Sequence, residues 1–369
     1  MINEIKQVLK ETPGLKGREI AKKLDKDRKE VNSYLSRHND GLYQDKNDFK
    51  WYLRAIDTVE WHLGCSSWLT CEGFEQSYSE IGNLIDSEES NIMVRLPEGF
   101  RVLLIAGARL ISLINYLNYL GKNVTLDFEL CKGSMGYLDR LGFFDHIHSD
   151  IEILPNRPTT SRAKRYKGNS YNLVEIGDID LNSFNDELPE ELTAAFTNHT
   201  GESYYMAAFT VFSELIGNVQ EHSETPIPGF AALQFYEGKN SHDSHIQTVI
   251  SDHGLGLSNT LKENLHKHYP KLASTMDLDC VASDLKLITK ALTDGKLSRF
   301  GHNPDGEARG LGLKRSQDYA LKYNAEITVR QENLMVKLFF GDGKLIRSNH
   351  RTDLEFLAGT HVCFDFILK

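Results

Sequence analysis

The chain has 369 residues, 40% of them hydrophobic, and a formal net charge of −10. That length suits two or three domains, and the absence of any run of about 18 apolar residues excludes a membrane-spanning helix. The five cysteines (Cys65, Cys71, Cys131, Cys280 and Cys363) form no CxxC pair and are odd in number, which disfavours a disulfide framework or a zinc site and fits a reducing cytoplasm.

The charge is uneven. Residues 1–54 carry a net of +4 and the remainder a net of −14, so a basic module precedes an acidic body and is expected to meet a polyanion. The opening MINEIKQVLK is amphipathic and charged, unlike a secretory signal. Ile5, Val8 and Leu9 have helical spacing, and Thr12-Pro13-Gly14 ends that helix. A second helix follows over REIAKKL and a third over DRKEVNSYLSRH, where Val31, Tyr34 and Leu35 form the apolar stripe. GLYQDKNDFKWYL then reads as a hairpin joined at Asp45–Asp48. Three short helices and a hairpin resemble a winged helix-turn-helix. The polar side of its third helix offers Arg28, Lys29, Asn32, Ser33, Ser36 and Arg37 for phosphate and groove contacts. Lys29, Asn32 and Trp51 also match the contact residues of the winged helices that bind Z-form nucleic acid; Ser36 stands where that group has a Tyr.

Residues 55–90 read as a helical connector. In 91–154, RVLLIAG is strand-like, ARLISLINYLNYL helical, NVTLDFE a strand and SMGYLDRLGFF a helix, together a small α/β module. The stretch VTLDFELCKGSMGYLDRLGFFD resembles STAS-like modules, in which a Ser or Thr after the corresponding strand accepts phosphate. Ser134 lies near that place, and a helix N-cap is its simpler reading. Residues 155–172 carry five basic residues, two prolines and no acid. With 155–199 as a whole they read as a linker and entry to the next domain.

From about residue 200, four motifs follow in order: ELIGNVQEH (214–222), DHGLGL (252–257), RGLGL (309–313) and GT (359–360). Four residues advance a helix by 400°, so Glu214, Asn218 and His222 drift by only about 40° per step and line one edge. Phe212, Leu215, Ile216 and Val219 form the face that packs. This set resembles the GHKL ATPase superfamily over residues 200–369, in a form close to the anti-sigma-factor kinases; Glu221 stands where sensor kinases often have Lys. The resemblance implies an α/β sandwich that binds ATP and Mg²⁺.

By that resemblance Asn218 is the Mg²⁺ ligand, Glu214 the general base, and His222 a residue near the phosphates. Asp252 accepts a hydrogen bond from the adenine amino group, and Thr360 supports it through its hydroxyl. Gly254 and Gly256 let the backbone approach the nucleotide. Gly310 and Gly312 open a helix whose amides hold phosphate oxygens, with Arg309 adding charge. Residues 258–308 are long enough to form a mobile lid.

The expected whole is a multidomain α/β protein: winged helix (1–54), connector (55–90), STAS-like module (91–154), linker (155–199) and GHKL domain (200–369). Its expected function is an ATP-binding, slowly hydrolysing regulator. Lid closure or ATP-dependent homodimerisation would couple to DNA or another nucleic acid through the winged helix. One alternative is a serine/threonine protein kinase acting on a STAS-like module or partner, and another is a non-hydrolysing ATP sensor that binds DNA.

Overall fold

The computed structural model describes residues 1–37, 42–46, 48–53, 58–64, 68–179, 187–222, 227–238, 243–293 and 324–368. Two compact units emerge: residues 1–59 with 88–92, and residues 60–87 with 93–369. The class is mixed α/β. Among the described residues no helix is long and apolar enough to cross a membrane.

In the first unit, α1 (Ile2–Glu11), α2 (Gly17–Lys23) and α3 (Arg28–Arg37) precede the antiparallel hairpin β1 (Leu42–Gln44) and β2 (Trp51–Leu53). Ile5, Leu9, Ile20, Val31, Leu35 and Leu42 make its core, as their helical and strand spacing dictates. Asp27 starts α3: its Oδ1 accepts from the amides of Lys29 at 2.7 Å and Glu30 at 3.1 Å, satisfying first-turn donors that have no intrahelical acceptor. The chain between α1 and α2 is pinned to the hairpin by two backbone hydrogen bonds between Leu15 and Trp51.

Residues 55–90, expected as a helical connector, instead contain β3 (Thr58–His62) and β4 (Trp68–Leu69) before α4 (Cys71–Ile81). The strand signal was the alternation in TVEWHL, with Trp61 and Leu63 buried. Then come β5 (Asn91–Arg95), β6 (Arg101–Val102), α5 (Leu104–Tyr119), β7 (Asn123–Asp127), α6 (Lys132–Leu141), α7 (Phe143–His146) and β8 (Glu152–Leu154). A four-stranded sheet has the order β3-β5-β7-β8, and β4 pairs in parallel with β6. The run RVLLIAG, expected as a strand, is extended only at Arg101–Val102, and Leu104 already belongs to α5. An unbroken apolar run has no period to separate strand from buried helix. Ser134, expected as a helix N-cap, is the third residue of α6; the N-cap is Cys131.

The segment 155–199, expected as a linker, holds α8 (Arg162–Tyr166), the strand β9 (Leu173–Ile179) and α9 (Glu187–Thr200). Next are a 3-10 turn at 202–204, α10 (Tyr205–His222), β10 (Gly229–Tyr236), β11 (Ser244–Ser251), α11 (Leu257–His268), α12 (Pro270–Ala273) and α13 (Val281–Thr293). The described chain resumes with β12 (Ala325–Glu332), β13 (Leu334–Gly341), β14 (Lys344–Arg351) and β15 (Leu357–Leu368). Strands β9–β15 build a seven-stranded antiparallel sheet in the order β14-β13-β12-β15-β11-β10-β9. β9 reaches that sheet only by pairing with β10, which no local pattern reveals.

α5 lies against both sheets, touching β7 of the smaller and β10, β11 and β15 of the larger. Thirteen of its sixteen residues are buried, which is why it is apolar all round rather than striped. Its one cation is buried too. Arg109 (1% exposed) donates from Nη1 to Glu75 Oε1 of α4 at 2.5 Å, and Arg330 of β12 donates from Nε to the same oxygen at 3.0 Å. Arg330 also donates to the carbonyls of Glu332 and Glu355. One carboxylate thus joins α4, α5 and β12.

Removing one partner of a buried ionic cluster leaves uncompensated charge. Glu75→Gln is therefore expected to lower the free energy of unfolding by about 3–5 kcal/mol, read from urea denaturation of the complete chain. A loss under about 1 kcal/mol would show that the two guanidiniums do not depend on Glu75 to compensate their charge.

Candidate functional site

The site is built where β11 ends. Asp252 follows the last residue of the strand and is 8% exposed. Its Oδ1 accepts from the amide of Gly254 at 2.7 Å and from that of Thr360 at 3.4 Å. The Thr360 hydroxyl also hydrogen-bonds the carboxyl, and its Oγ1 accepts from the Leu257 amide at 3.1 Å, tying β15 to the start of α11. Burial nevertheless dominates, and the Asp252 carboxyl is pushed up to about 6, because a charge removed from water is disfavoured more than these donors stabilise it.

Two glycines make this geometry available. Gly359 has φ +84°, and a Cβ there would sit 2.0 Å from the Asp252 carbonyl oxygen. Gly256 has φ +85°, and a Cβ would meet the Gln331 side chain at 2.6 Å. Only glycine fits both demands. Gln331 fills the space under the loop: its Oε1 accepts from the Ser258 amide at 3.0 Å, and its Nε2 donates to the Ser258 hydroxyl at 2.6 Å.

α10 supplies the neighbouring wall. Phe212, Leu215, Ile216 and Val219 are buried against the seven-stranded sheet, as their spacing predicts, while Glu214 and Asn218 are half-buried. A Cβ at Gly229 would lie 2.7 Å from Val219 Cγ1 and 2.8 Å from the Ser251 carbonyl oxygen. That glycine lets the turn of α10 bearing Asn218 lie close to the strand end bearing Asp252. The structure therefore gathers Asp252, Gly254, Gly256 and Thr360, and brings Val219, the chain neighbour of Asn218, to the same strand end, with Glu214 one turn earlier on α10.

His222 ends α10, and its side chain is outside the described residues. Arg309, Gly310 and Gly312 also lie outside them, in 294–323. Of the expected lid (258–308), residues 258–293 lie in and between α11, α12 and α13, which enclose their own apolar cluster of Leu261, Leu265, Ala273, Leu287 and Ala291. Among the described residues no group of three or more His, Cys, Asp and Glu side chains could hold a metal ion. A half-buried amide oxygen from Asn218 with the carboxylate of Glu214 on the same helix edge still fits Mg²⁺, which takes few protein oxygens and keeps its waters.

Sequence reasoning did not single out two histidines beneath the site. His253 donates from Nε2 to the Ser112 carbonyl of α5 at 3.2 Å, and His361 from Nε2 to the Ala358 carbonyl at 3.0 Å. Their rings meet edge to face at 6.3 Å. Burial lowers His253 to about 4 and His361 well below its ordinary value, so both are neutral at pH 7. Their signal was adjacency alone, His253 after Asp252 and His361 after Thr360.

On α3, Arg28, Lys29, Asn32, Ser36 and Arg37 are exposed. The Asn32 amide lies over Gly17, where a Cβ would be 1.9 Å from its Oδ1. Trp51 packs half-buried on the core of its unit. Phe49, which the sequence reading passed over, is 63% exposed beside the hairpin turn. Ser134 is half-buried, its hydroxyl donating to the Phe100 carbonyl. Comparison with family models, with curated proteins and with solved structures gives no match.

Folded Asp252 keeps its proton up to about pH 6, the unfolded residue only to about 3.8. Its contribution to stability is therefore full below pH 4 and is lost, by about 3 kcal/mol, as pH rises through 6. Neutral burial of His253 works in the opposite sense, so the comparison with Asp252→Asn isolates the carboxyl. The variant is expected to gain about 3 kcal/mol relative to the parent between pH 4 and pH 7, measured by urea denaturation at each pH. A difference independent of pH would show that Asp252 is not perturbed.

Proposed function

We propose that the site at the end of β11 binds the adenine of ATP and that α10 carries the residues that hydrolyse it. The observation that carries this reading is the buried Asp252 carboxyl, braced by Thr360 and approached by the backbone of Gly359, beside the α10 turn that bears Asn218. A desolvated acceptor held at the floor of a glycine-lined turn suits an exocyclic amino group, and a partner that donates to it offsets part of its burial cost. The ordered motifs shared with GHKL ATPases support the same assignment.

Asn218 Oδ1 would hold Mg²⁺, which when bound neutralises charge on the phosphate oxygens. Glu214, one turn away, orients the attacking water and takes its proton. In the other unit, the exposed face of α3 presents Arg28, Lys29 and Arg37 to solvent, and these cations suit phosphate contacts with a nucleic acid. The proposal is thus an ATP-driven regulator with a nucleic-acid-binding module.

The test is turnover of γ-labelled ATP with Mg²⁺, with and without DNA or RNA. Release of free phosphate that rises with nucleic acid is the expected result. Label retained on the protein would instead indicate a protein kinase, and nucleotide binding without either product a sensor. Failure to bind ATP would overturn the site. Glu214→Ala is expected to leave ATP affinity within a few-fold and cut phosphate release by about 100-fold or more; unchanged release would remove Glu214 from the chemistry. Replacing both Lys29 and Arg37 with Glu is expected to weaken nucleic-acid binding across sequences and to reduce the salt dependence by about two phosphate contacts, checked by binding isotherms at several salt concentrations.

A further inference from the structure

A second concave site lies away from Asp252, between β6, the start of α6 and the end of β10. It is a groove of about 680 Å³, within the size range of small-molecule sites. Its walls are aromatic: Trp68, Phe100, Tyr137 and Tyr236 all line it. Trp68 is 40% exposed and meets Tyr236 edge to face at 6.5 Å. Exposed apolar area continues to the rim, where Leu130 is 71% exposed.

These walls are fixed in place. The Tyr236 hydroxyl accepts from the Leu104 amide at 2.8 Å, and the Tyr236 ring stacks on His245 at 4.9 Å. The Ser134 hydroxyl ties α6 to the Phe100 carbonyl. The Tyr236 wall is therefore formed before any ligand enters, and the ordering that binding must offset falls on the exposed Arg101 and Lys132 side chains.

Its charge is one-sided. Arg101 and Lys132 line it and no Asp or Glu does, on a chain whose net charge is −10. The Arg101 guanidinium lies 5.7 Å from the centre of the Trp68 ring. Among the described residues neither cation has a carboxylate partner within ion-pair distance. Lys132 and Gly133, the first two residues of α6, also line it, and a helix start favours negative charge.

We propose that this groove binds a small aromatic anion, an aryl carboxylate or an aryl phosphate. Its ring packs on the Trp68–Tyr236 wall, and its anionic group is held by Arg101 and Lys132. Aromatic walls give the ring offset and edge contacts. The unpaired cations give charge-assisted hydrogen bonds that a neutral ring cannot use. The site is independent of the nucleotide site and stands whether or not Asp252 binds adenine.

The test is titration of the full chain with 1-naphthyl phosphate, 1-naphthoate and neutral 1-naphthol, followed by calorimetry and tryptophan fluorescence. At least one anion is expected to bind ten-fold or more tightly than 1-naphthol, and which anion wins identifies the headgroup. Arg101→Gln and Lys132→Gln, both at exposed positions, are each expected to weaken the anion about ten-fold and leave 1-naphthol unchanged. Trp68→Ala is expected to weaken all three, and Asp252→Asn none. Equal affinity for anion and neutral ring, indifference to both cation substitutions, or no binding of any probe would overturn the proposal.

Discussion

Glu75 is a carboxylate shared by two buried guanidiniums, and three parts of the chain meet at it. It comes from α4, Arg109 from α5 and Arg330 from β12. A charge cluster of this kind stabilises little by its own attraction, since removing three ions from water consumes most of the Coulombic gain. Its effect is on register. α5 is apolar nearly all round, so burial alone is weakly directional, and the pairing of Arg109 with Glu75 adds a directional constraint beside the bonds of its Leu104 amide and Ser112 carbonyl. The apolar residues supply the burial and the ionic cluster adds direction.

That placement reaches the candidate site through α5. Ser112, one turn beyond Arg109, accepts from His253, the neighbour of Asp252. Asp252 is in turn held by Gly359 and Thr360 of β15. A site that carries a desolvated carboxyl is unfavourable when considered alone. It persists because the surrounding sheet and helix over-determine it, which is where strained and desolvated groups are expected when they serve binding.

Much of this was legible in the sequence, where local pattern and tertiary role agree. The buried face of α10 and the three helices and hairpin of the first unit follow from spacing, and the grouping of Asp252 with Thr360 was implied by the family resemblance of the ordered motifs. What the sequence concealed has physical reasons. α5 begins in a run with no period, so helix and strand look alike. β9 acquires its identity by pairing with β10, some fifty residues away in the chain. Gln331 lies in a strand and shows no motif, yet it supports Gly256 and Ser258 directly.

The order of strands in the large sheet has a consequence for how the chain is made. β15 follows every other strand in sequence but lies at the centre, between β12 and β11. During synthesis, β9–β11 and β12–β14 can pair within themselves, but each presents an open edge to the other until β15 emerges. Exposed edges template pairing with foreign strands, and closure that awaits a distant segment is slow. The nascent protein therefore passes through a stage in which its two half-sheets need shielding. Completing the central strand closes both edges at once and assembles the Asp252–Thr360 pair in the same step, so the candidate site does not exist before the sheet is whole.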